Sequence, residues 1–208
     1  MTQTKTIEVK PIKINTAKFR IVGDGELILN KMNAVTEREL MDKQKNKSKD
    51  TRGKNMWEEL ITAIRWRDGD PEVFTEESFR DALMNNAPCI SGFGLKKSFG
   101  QAIVRNEIDR YATKFDNTVN VVETNIPITF TTHRVEEKLM SPKKGSPVLT
   151  RQNIFSGWSA EFTVRYVDNG TYSLEMIAQV ISLAGFGGGI GSGRSSGYGR
   201  YHIEGITA

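Results

Sequence analysis

The sequence predicts an α+β protein in which helices cover one face of an antiparallel sheet. Alternating apolar and polar residues, typical of half-buried strands, occur near both ends of the chain and within 119–133 and 154–166. Apolar residues with helical spacing occur at 95–103 and 173–183, between these strand segments. With insertions set aside, the segments follow the βαββαβ order of a ferredoxin-like, RRM-like domain. The open face of such a sheet is a familiar surface for single-stranded RNA.

The composition is that of one domain, 1–208, with a mild positive charge. Of the 208 residues, 38% are hydrophobic, and 29 Lys and Arg residues against 25 Asp and Glu residues give a net charge of +4. This balance permits nucleic acid as a partner without requiring it. The one cysteine, Cys89, excludes an internal disulfide framework and is expected to be a buried structural thiol. We predict no metal and no cofactor.

The sequence shows no membrane-directed segment. No stretch reaches the roughly 18 consecutive apolar residues that span a bilayer. The first five residues lack the apolar stretch of a signal peptide. We therefore expect a cytoplasmic protein without a membrane partner.

The N-terminal region predicts two strand units. Residues 6–14 alternate as a strand with one buried face, and Pro11 places that strand at an edge or a bulge. Residues 19–22 and 26–29 predict a hairpin around the tight turn at 23–25.

Residues 33–86 predict a largely helical or disordered insertion. Its first part is rich in Lys and Arg and nearly free of apolar residues, so it cannot bury enough surface to order itself alone. One interpretation is a solvated loop, and the other is a basic arm that orders on a nucleic-acid backbone. The cations that would contact RNA are Lys43, Lys45, Lys47, Lys49, Arg52 and Lys54.

Two helices follow within the insertion. The first, at 56–66, has an apolar face, and Trp57 and Trp66 are expected to be core anchors rather than base-stacking platforms. The second starts at Thr75 as N-cap, with an apolar face of Phe79, Leu83 and Met84.

A helix after the turn at 88–94 carries two lysines, Lys96 and Lys97, in its expected first turn. The helix macrodipole disfavours cations at this end. An anion bound at the exposed N–H groups would explain them, although lysines without such a role also occur at helix starts.

The polar segment 134–153 separates the strand pattern of 119–133 from that of 154–166. These two strands are expected to pair as a long hairpin with 134–153 at its projecting tip. The tip is either a basic clamp or an ordinary surface loop. A helix capped by Thr171 follows, with Leu174, Ile177, Ala178 and Ile181 on its apolar face.

The glycine-rich run at 185–201 precedes a final strand predicted from Tyr198 to Ile206. Gly187, Gly189, Gly191 and Gly193 bring the backbone close to a ligand, and Arg194 and Arg200 suit phosphate. Composition alone fits a flexible linker, but only a short strand-like segment follows. The order helix, glycines, strand excludes a dinucleotide fingerprint, which needs strand, glycines, helix. Tyr198 is expected to anchor the run on the core.

Residues 184–200 resemble the glycine-rich signature of the RAMP superfamily, the RNA-binding proteins of CRISPR effector complexes. Residues 88–105 are similar to the motif of the family's first helix, and the resemblance covers about 85–206 and the first strand. It implies an RNA-binding subunit that holds guide RNA and assembles with copies of itself and with other effector subunits. The hairpin 134–153 takes the place of the family's thumb and would splay a base of a neighbour's RNA. The hairpin residues involved would be Lys138, Met140, Lys143 and Lys144.

The resemblance also frames the catalytic alternatives. Some members cut target RNA with an aspartate after the first strand, where this chain offers Asp42 and Asp50. The rival function is a metal-independent endoribonuclease that processes guide RNA, with His133 as candidate and His202 as the second histidine. A stand-alone, phage-borne relative that interferes with a CRISPR complex is a further alternative. The favoured prediction is a subunit without catalysis of its own.

Overall fold

A computed structural model describes residues 11–45, 55–140, 148–168 and 171–208. The chain forms the following elements: β1 Ile14–Gly23, β2 Leu27–Leu29, α1 Ala34–Gln44, α2 Met56–Ala63, β3 Arg65–Trp66, α3 Glu76–Asn85, β4 Pro88–Ser91, α4 Gly92–Arg105, α5 Thr113–Thr118, β5 Val119–Val121, β6 Asn125–Thr129, β7 Thr132–Met140, β8 Val148–Ser156, β9 Ser159–Val167, α6 Leu174–Leu183 and β10 Tyr201–Thr207. Between α6 and β10 lie a π-helical turn, Ala184–Gly188, and a 3₁₀ turn, Arg194–Ser196.

The strands form two antiparallel sheets. The larger has the order β10-β1-β9-β6-β4-β3, with β5 also paired to β9, and the smaller has the order β2-β8-β7. Every strand pair among the described residues is antiparallel. The predicted α+β class with antiparallel sheets is therefore confirmed. In the described ranges, no helix is long and apolar enough to cross a bilayer.

The core lies between the larger sheet and the helices α4 and α6. Alternate residues of β1, including Phe19 and Ile21, point inward and are fully buried. The rings of Phe19 and Phe162 stack at 5.7 Å across the β1–β9 pair, and Phe99 of α4 packs on Phe162 at 6.2 Å. Such aromatic pairs add to the apolar burial that holds helix and sheet together.

The N-terminal strands differ from the prediction. Most of the predicted strand 6–14 lies outside the described residues, and β1 begins only at Ile14. The predicted hairpin 19–29 is wrong, because β1 pairs with β9 and β10 while β2 pairs with β8. Three consecutive residues of β2, Leu27–Leu29, are buried, so both faces of this strand are packed against other elements. The strand belongs to the smaller sheet.

The insertion contributes three helices, α1, α2 and α3, and the strand β3 to the packed fold. The helix α2 ends at Ala63 rather than 66, because Arg65 and Trp66 extend to pair with β4. Trp66 is buried and donates from Nε1 to the Ile61 carbonyl at 2.8 Å. The helix α3 begins at the predicted N-cap Thr75, but the predicted apolar contact of Met84 is wrong, since Met84 is exposed.

The paired strands of the hairpin region extend further than predicted. Residues 134–153 are mostly strand, since β7 and β8 pair from Thr132↔Ser156 to Met140↔Val148. The predicted pairing of 119–133 with 154–166 is present in three stretches, because β5 and β6 pair with β9 and the first residues of β7, Thr132 and His133, pair with β8. The helix α5 was not predicted. Residues 141–147 lie outside the described part of the chain.

The last helix and strand begin later than predicted. The N-cap of α6 is Ser173 rather than Thr171, and its hydroxyl accepts from the Met176 N–H at 3.3 Å. Ile177 and Ile181 are buried as predicted. The strand β10 begins at Tyr201 rather than Tyr198, because the glycine run continues its own turns to Arg200.

Candidate nucleic-acid interface

The start of α4 is fixed by two small residues. Ser91 is the N-cap, and its hydroxyl accepts from the Gly94 N–H at 3.2 Å. Gly92 lies so close to the next loop that a Cβ would be 1.8 Å from the Glu123 carbonyl oxygen. The helix therefore starts directly after β4, which places Lys96 and Lys97 in its second turn and makes the first-turn prediction wrong.

The two lysines point to different surroundings. Lys96 turns towards α5, where Nζ donates to the Asp116 carbonyl at 2.9 Å and lies 3.5 Å from Oδ1 of Asn120. Lys97 is exposed, and among the described residues no carboxylate pairs with it. Of the two lysines, Lys97 is the one whose ammonium group has no hydrogen-bond or ion-pair partner among the described residues.

The glycine run is held firmly against β2. Ser192 N–H donates to the Ile28 carbonyl at 2.9 Å, and Gly199 N–H donates to the Glu26 carbonyl at 2.8 Å. Gly199 has φ +71°, and a Cβ there would lie 1.9 Å from the Ile190 carbonyl oxygen, so no other residue fits. These contacts exclude a flexible linker.

A first cavity of about 290 Å³ lies where the glycine run faces the start of α4. Gly94, Cys89 and Gly191 are part of its wall. Four basic side chains also line it: Lys31, Arg65, Lys97 and Arg194. Burial raises the pKa of the Cys89 thiol to about 11, so this group is a neutral thiol near pH 7 and not a nucleophile.

Two further cavities continue this surface. One of about 510 Å³ is lined by the glycine run with Arg105, Arg194 and Arg200. Another of about 370 Å³ lies along α4, between Lys97 and Arg105. Each of the residues Lys97, Arg105 and Arg194 lines two of the three cavities.

Lys31 pairs with Asp70 at 3.1 Å. We call the other cations of this surface the basic stripe: Arg65, Lys97, Arg105, Arg194 and Arg200. Arg194 lies 3.4 Å from Oε1 of Gln101, and Arg200 donates to the Phe186 carbonyl. Among the described residues that line the three cavities, Asp116 is the one carboxylate. The arrangement therefore concentrates positive charge beside exposed backbone, a combination that binds phosphate.

The open face of the larger sheet has a different charge pattern. Lys18 on β1 pairs with Glu161 at 2.6 Å, and Arg20 pairs with both Glu161 and Glu204. These cations are matched by carboxylates, so this face attracts a polyanion less than the basic stripe does.

Residues 26–202, most of the chain, match the family model of the RAMP superfamily. This chain belongs to the RAMP superfamily. The membership predicted from the glycine run and the α4 segment is thereby confirmed. No protein among the curated sequences matches this RAMP protein.

Solved structures share its fold. In the cryo-EM structure of the Type III-B Cmr-beta bound to cognate target RNA, one chain aligns with 94% of this RAMP protein at a TM-score of 0.56 and 14% identity. This RAMP protein spans 60% of the length of that chain. The crystal structure of Cmr6 from Pyrococcus furiosus aligns over 93% of this chain and 100% of its own at a TM-score of 0.42 and 10% identity. At 14% identity the likeness to the Cmr-beta chain is one of fold alone.

The structure brings together only part of the predicted RNA-binding set. The predicted residues that line the three cavities are Lys97, Gly187, Gly191, Gly193, Arg194 and Arg200. Gly189 is buried, Lys43 and Lys45 lie at the end of α1, and Lys138 is exposed on β7. The remaining predicted residues lie outside the described part, as does the side chain of Met140: Lys47, Lys49, Arg52, Lys54, Lys143 and Lys144.

Sequence reasoning missed Arg65, Arg105 and Lys31. Arg105 could have been found, because Lys97, Gln101 and Arg105 follow each other at four-residue spacing and share one face of α4. Arg65 reaches the stripe only through the β3–β4 pair, which no local pattern predicts.

The catalytic candidates are not assembled into a site. The His133 ring packs against Phe155 at 4.8 Å and Phe79 at 5.4 Å, and Nε2 lies 3.2 Å from Oδ1 of Asn153. Burial lowers the pKa of His133, which opposes a charged form. His202 is exposed on β10 of the larger sheet, whereas His133 lies on β7 of the smaller one. Nδ1 of His202 lies 2.5 Å from Oδ1 of Asp24. Asp42 lies on α1, and Asp50 is outside the described residues.

The described residues contain no group of three or more His, Cys, Asp or Glu side chains that could hold a metal ion.

Proposed function

We propose that this RAMP protein is an RNA-binding subunit of a CRISPR effector ribonucleoprotein and holds guide RNA mainly through its phosphates. The observation that carries the proposal is the basic stripe, in which Arg65, Lys97 and Arg105 lack a carboxylate partner among the described residues. Unpaired cations grouped on one surface bind a polyanion by releasing its counterions. Contacts of this kind position RNA and carry no sequence information, so binding is expected to tolerate any sequence.

The family supports this assignment. The Cmr-beta structure that shares the fold is described as bound to cognate target RNA, and it belongs to a type III-B complex. We propose that β1, α4, β6, β9, α6 and β10 correspond to a ferredoxin-like βαββαβ unit. The adjacent order β10-β1-β9-β6 of the larger sheet supports this correspondence.

We further propose that the whole chain is one RAMP domain with two additions. The insertion 33–86 packs on it through α2, β3 and α3, and its lysine-rich part contacts RNA. The hairpin region 134–153 acts as a thumb over the RNA of a neighbouring copy, with Lys138 exposed on β7 in support. In this proposal, copies of the protein and other effector subunits assemble along the guide RNA.

RNA binding is tested with the triple variant Lys97→Gln, Arg105→Gln, Arg194→Gln. Fluorescence anisotropy with a labelled single-stranded RNA compares it with the unmodified protein. Three lost phosphate contacts, at a salt slope of about 0.7 each, predict an affinity about a hundredfold lower at 0.1 M salt.

A matched control carries the same loss of three charges elsewhere: Lys13→Gln, Lys18→Gln, Arg80→Gln. These cations are paired with Asp168, Glu161 and Glu76. The control is expected to bind RNA within about threefold of the unmodified protein, since it retains the stripe. Equal losses in both triple variants would overturn the assignment of the interface to the stripe.

Assembly is tested by light scattering after size exclusion, with RNAs of increasing length. The proposal predicts that the number of protein copies per RNA rises in steps with RNA length. One copy per RNA at every length would refute assembly along RNA.

A further inference from the structure

Two phenylalanines stand exposed beside the basic stripe. Phe186 is 83% exposed and Phe93 is 76% exposed. Phenylalanine belongs to the residues that are most often buried, because its ring is costly to leave in water. Neither ring is among the aromatic pairs of the described core, so packing does not account for either of them.

The backbone around Phe186 is held in one conformation. Gly185 packs on the core, where a Cβ would lie 2.1 Å from the Tyr201 carbonyl oxygen. The Gly189 N–H donates to the Ala184 carbonyl at 2.7 Å and closes the π-helical turn. The guanidinium of Arg200 binds the carbonyl of Phe186 itself. The turn is thus fixed on its inner side, while the ring of Phe186 remains outside.

Phe186 lies directly beside the second cavity. Gly187 and Gly188, which follow it, line that cavity together with Arg105, Arg194 and Arg200. Neither glycine has a neighbour within 4 Å of the position that a Cβ would take, so the surface at these two residues is open. An exposed aromatic ring is therefore joined through the chain to a surface that carries three guanidinium groups.

Phe93 takes a similar place at the other end of α4. Gly92 before it is packed against the Glu123 carbonyl, and Gly94 after it lines the first cavity. From Phe93 to Arg105 the helix rises by about 18 Å, at 1.5 Å per residue. Phe93 is thus next to the cavity that Arg65 and Lys97 line, and Phe186 is next to the cavity that Arg105 and Arg200 line.

We propose that Phe186 and Phe93 are base-stacking platforms for single-stranded RNA whose phosphates lie on the basic stripe. This inference rests on the proposed function and adds the nucleobase to it. A nucleotide presents an aromatic face and a negative charge within a short distance, and each end of the stripe presents the complement of both. A protein partner is less suited, because Phe186 is flanked in the chain by Gly185 and Gly187 and its carbonyl is bound by Arg200, so the groups shown beside it are not apolar.

The test compares Phe186→Leu, Phe186→Trp and the unmodified protein on two single-stranded RNAs of equal length, one normal and one abasic. Leucine keeps apolar volume but has no aromatic face. We expect Phe186→Leu to bind normal RNA about five- to a hundredfold more weakly. We expect the same variant to bind abasic RNA as the unmodified protein does, and Phe186→Trp to retain binding to normal RNA. Phe93→Leu is expected to give the same pattern.

Two controls make the outcome decisive. Met84→Ala removes an equally exposed apolar side chain from α3 and is expected to leave both affinities unchanged. Thermal unfolding of each variant checks that the fold is intact. If the unmodified protein binds RNA and Phe186→Leu binds normal RNA equally well, the stacking proposal is overturned while RNA binding stands. If the unmodified protein binds neither RNA, the proposed function fails first.

Discussion

At the scale of single residues, the glycine run owes its shape to a few positions where no side chain fits. Gly185 lies against the Tyr201 backbone and ring, whereas Gly187 two residues later faces open space. Gly185 is therefore required by close packing, whereas packing places no such requirement on Gly187.

Gly185→Ala is expected to destabilise the protein by about 1–3 kcal/mol, because the new Cβ forces the run away from β10. Gly187→Ala is the matched control and is expected to change the free energy of unfolding by less than about 0.5 kcal/mol. Urea unfolding measures both. An equal effect of the two substitutions would contradict the packing described for Gly185.

His133 predicts a pH dependence of stability. Its folded-state pKa is lowered by burial below the unfolded value of about 6.5, so the unfolded state binds more protons in this range. Stability is therefore fully present above about pH 6.5, falls as the pH drops through that value and levels off below the folded pKa. Urea unfolding at pH 7.5 and 5.5 should show a smaller pH effect for His133→Gln than for the unmodified protein.

The exposed His202 supplies the control for this experiment. His202→Gln should keep the pH effect that His133 causes. If His133→Gln shows the same pH effect as the unmodified protein, the buried neutral imidazole is not the source.

The residue scale also shows what local sequence can and cannot predict. The Thr75 cap and the buried stripe of Leu95, Phe99 and Ile103 follow from local patterns and are present. The different directions of Lys96 and Lys97 depend on α5, which carries Asp116 and was not predicted. A side chain's partner across the fold has no local signal.

At the scale of elements, the β7–β8 hairpin is joined to α2 by buried polar contacts. Asn153 is fully buried, and its Nδ2 donates to the Leu60 carbonyl at 3.2 Å. Arg151 pairs with Glu59 of α2 at 2.7 Å and with Glu137 across the hairpin at 2.8 Å. The inserted helix and the hairpin therefore support one another.

Asn153→Ala is expected to cost about 1–3 kcal/mol of stability, because it removes the donor to the buried Leu60 carbonyl and the partner of His133. Thr150→Ala, which loses a contact of the same hairpin at an exposed site, should cost less than about 0.5 kcal/mol. Chemical denaturation compares the two. A similar small cost for both would show that the buried contact does not hold hairpin to helix.

The boundaries of an element could be predicted from the sequence where one face of that element is buried. Where both faces are buried, or neither is, the prediction of the boundaries was wrong. All three residues of β2 are buried, so its sequence has no alternation that would indicate which strand it pairs with. The segment 134–153 is largely polar and was predicted as a hairpin tip, although most of it belongs to the paired strands β7 and β8. Strand pairing depends on segments that are distant in the chain. The sequence therefore favoured a hairpin between the neighbouring segments 19–22 and 26–29, which do not pair with each other.

At the scale of the whole molecule, charge is sorted between two surfaces. The net charge is only +4. Lys18 and Arg20 on the open sheet face are paired with carboxylates, whereas Lys97 and Arg105 have no carboxylate partner in the part of the chain that the structure describes. The sequence predicted the glycine run and Arg194 as part of the RNA-binding surface that we propose. It could not predict that Arg65 joins them, since that requires the folded sheet.

The most direct test of the central claim is the salt dependence of RNA binding. The logarithm of the affinity is measured against the logarithm of the salt concentration for the unmodified protein and for Lys97→Gln, Arg105→Gln, Arg194→Gln. If the basic stripe holds phosphates, the slope for single-stranded RNA becomes shallower by about 2, from three contacts of about 0.7 each. A weaker affinity with an unchanged slope, or an unchanged affinity, would contradict the claim.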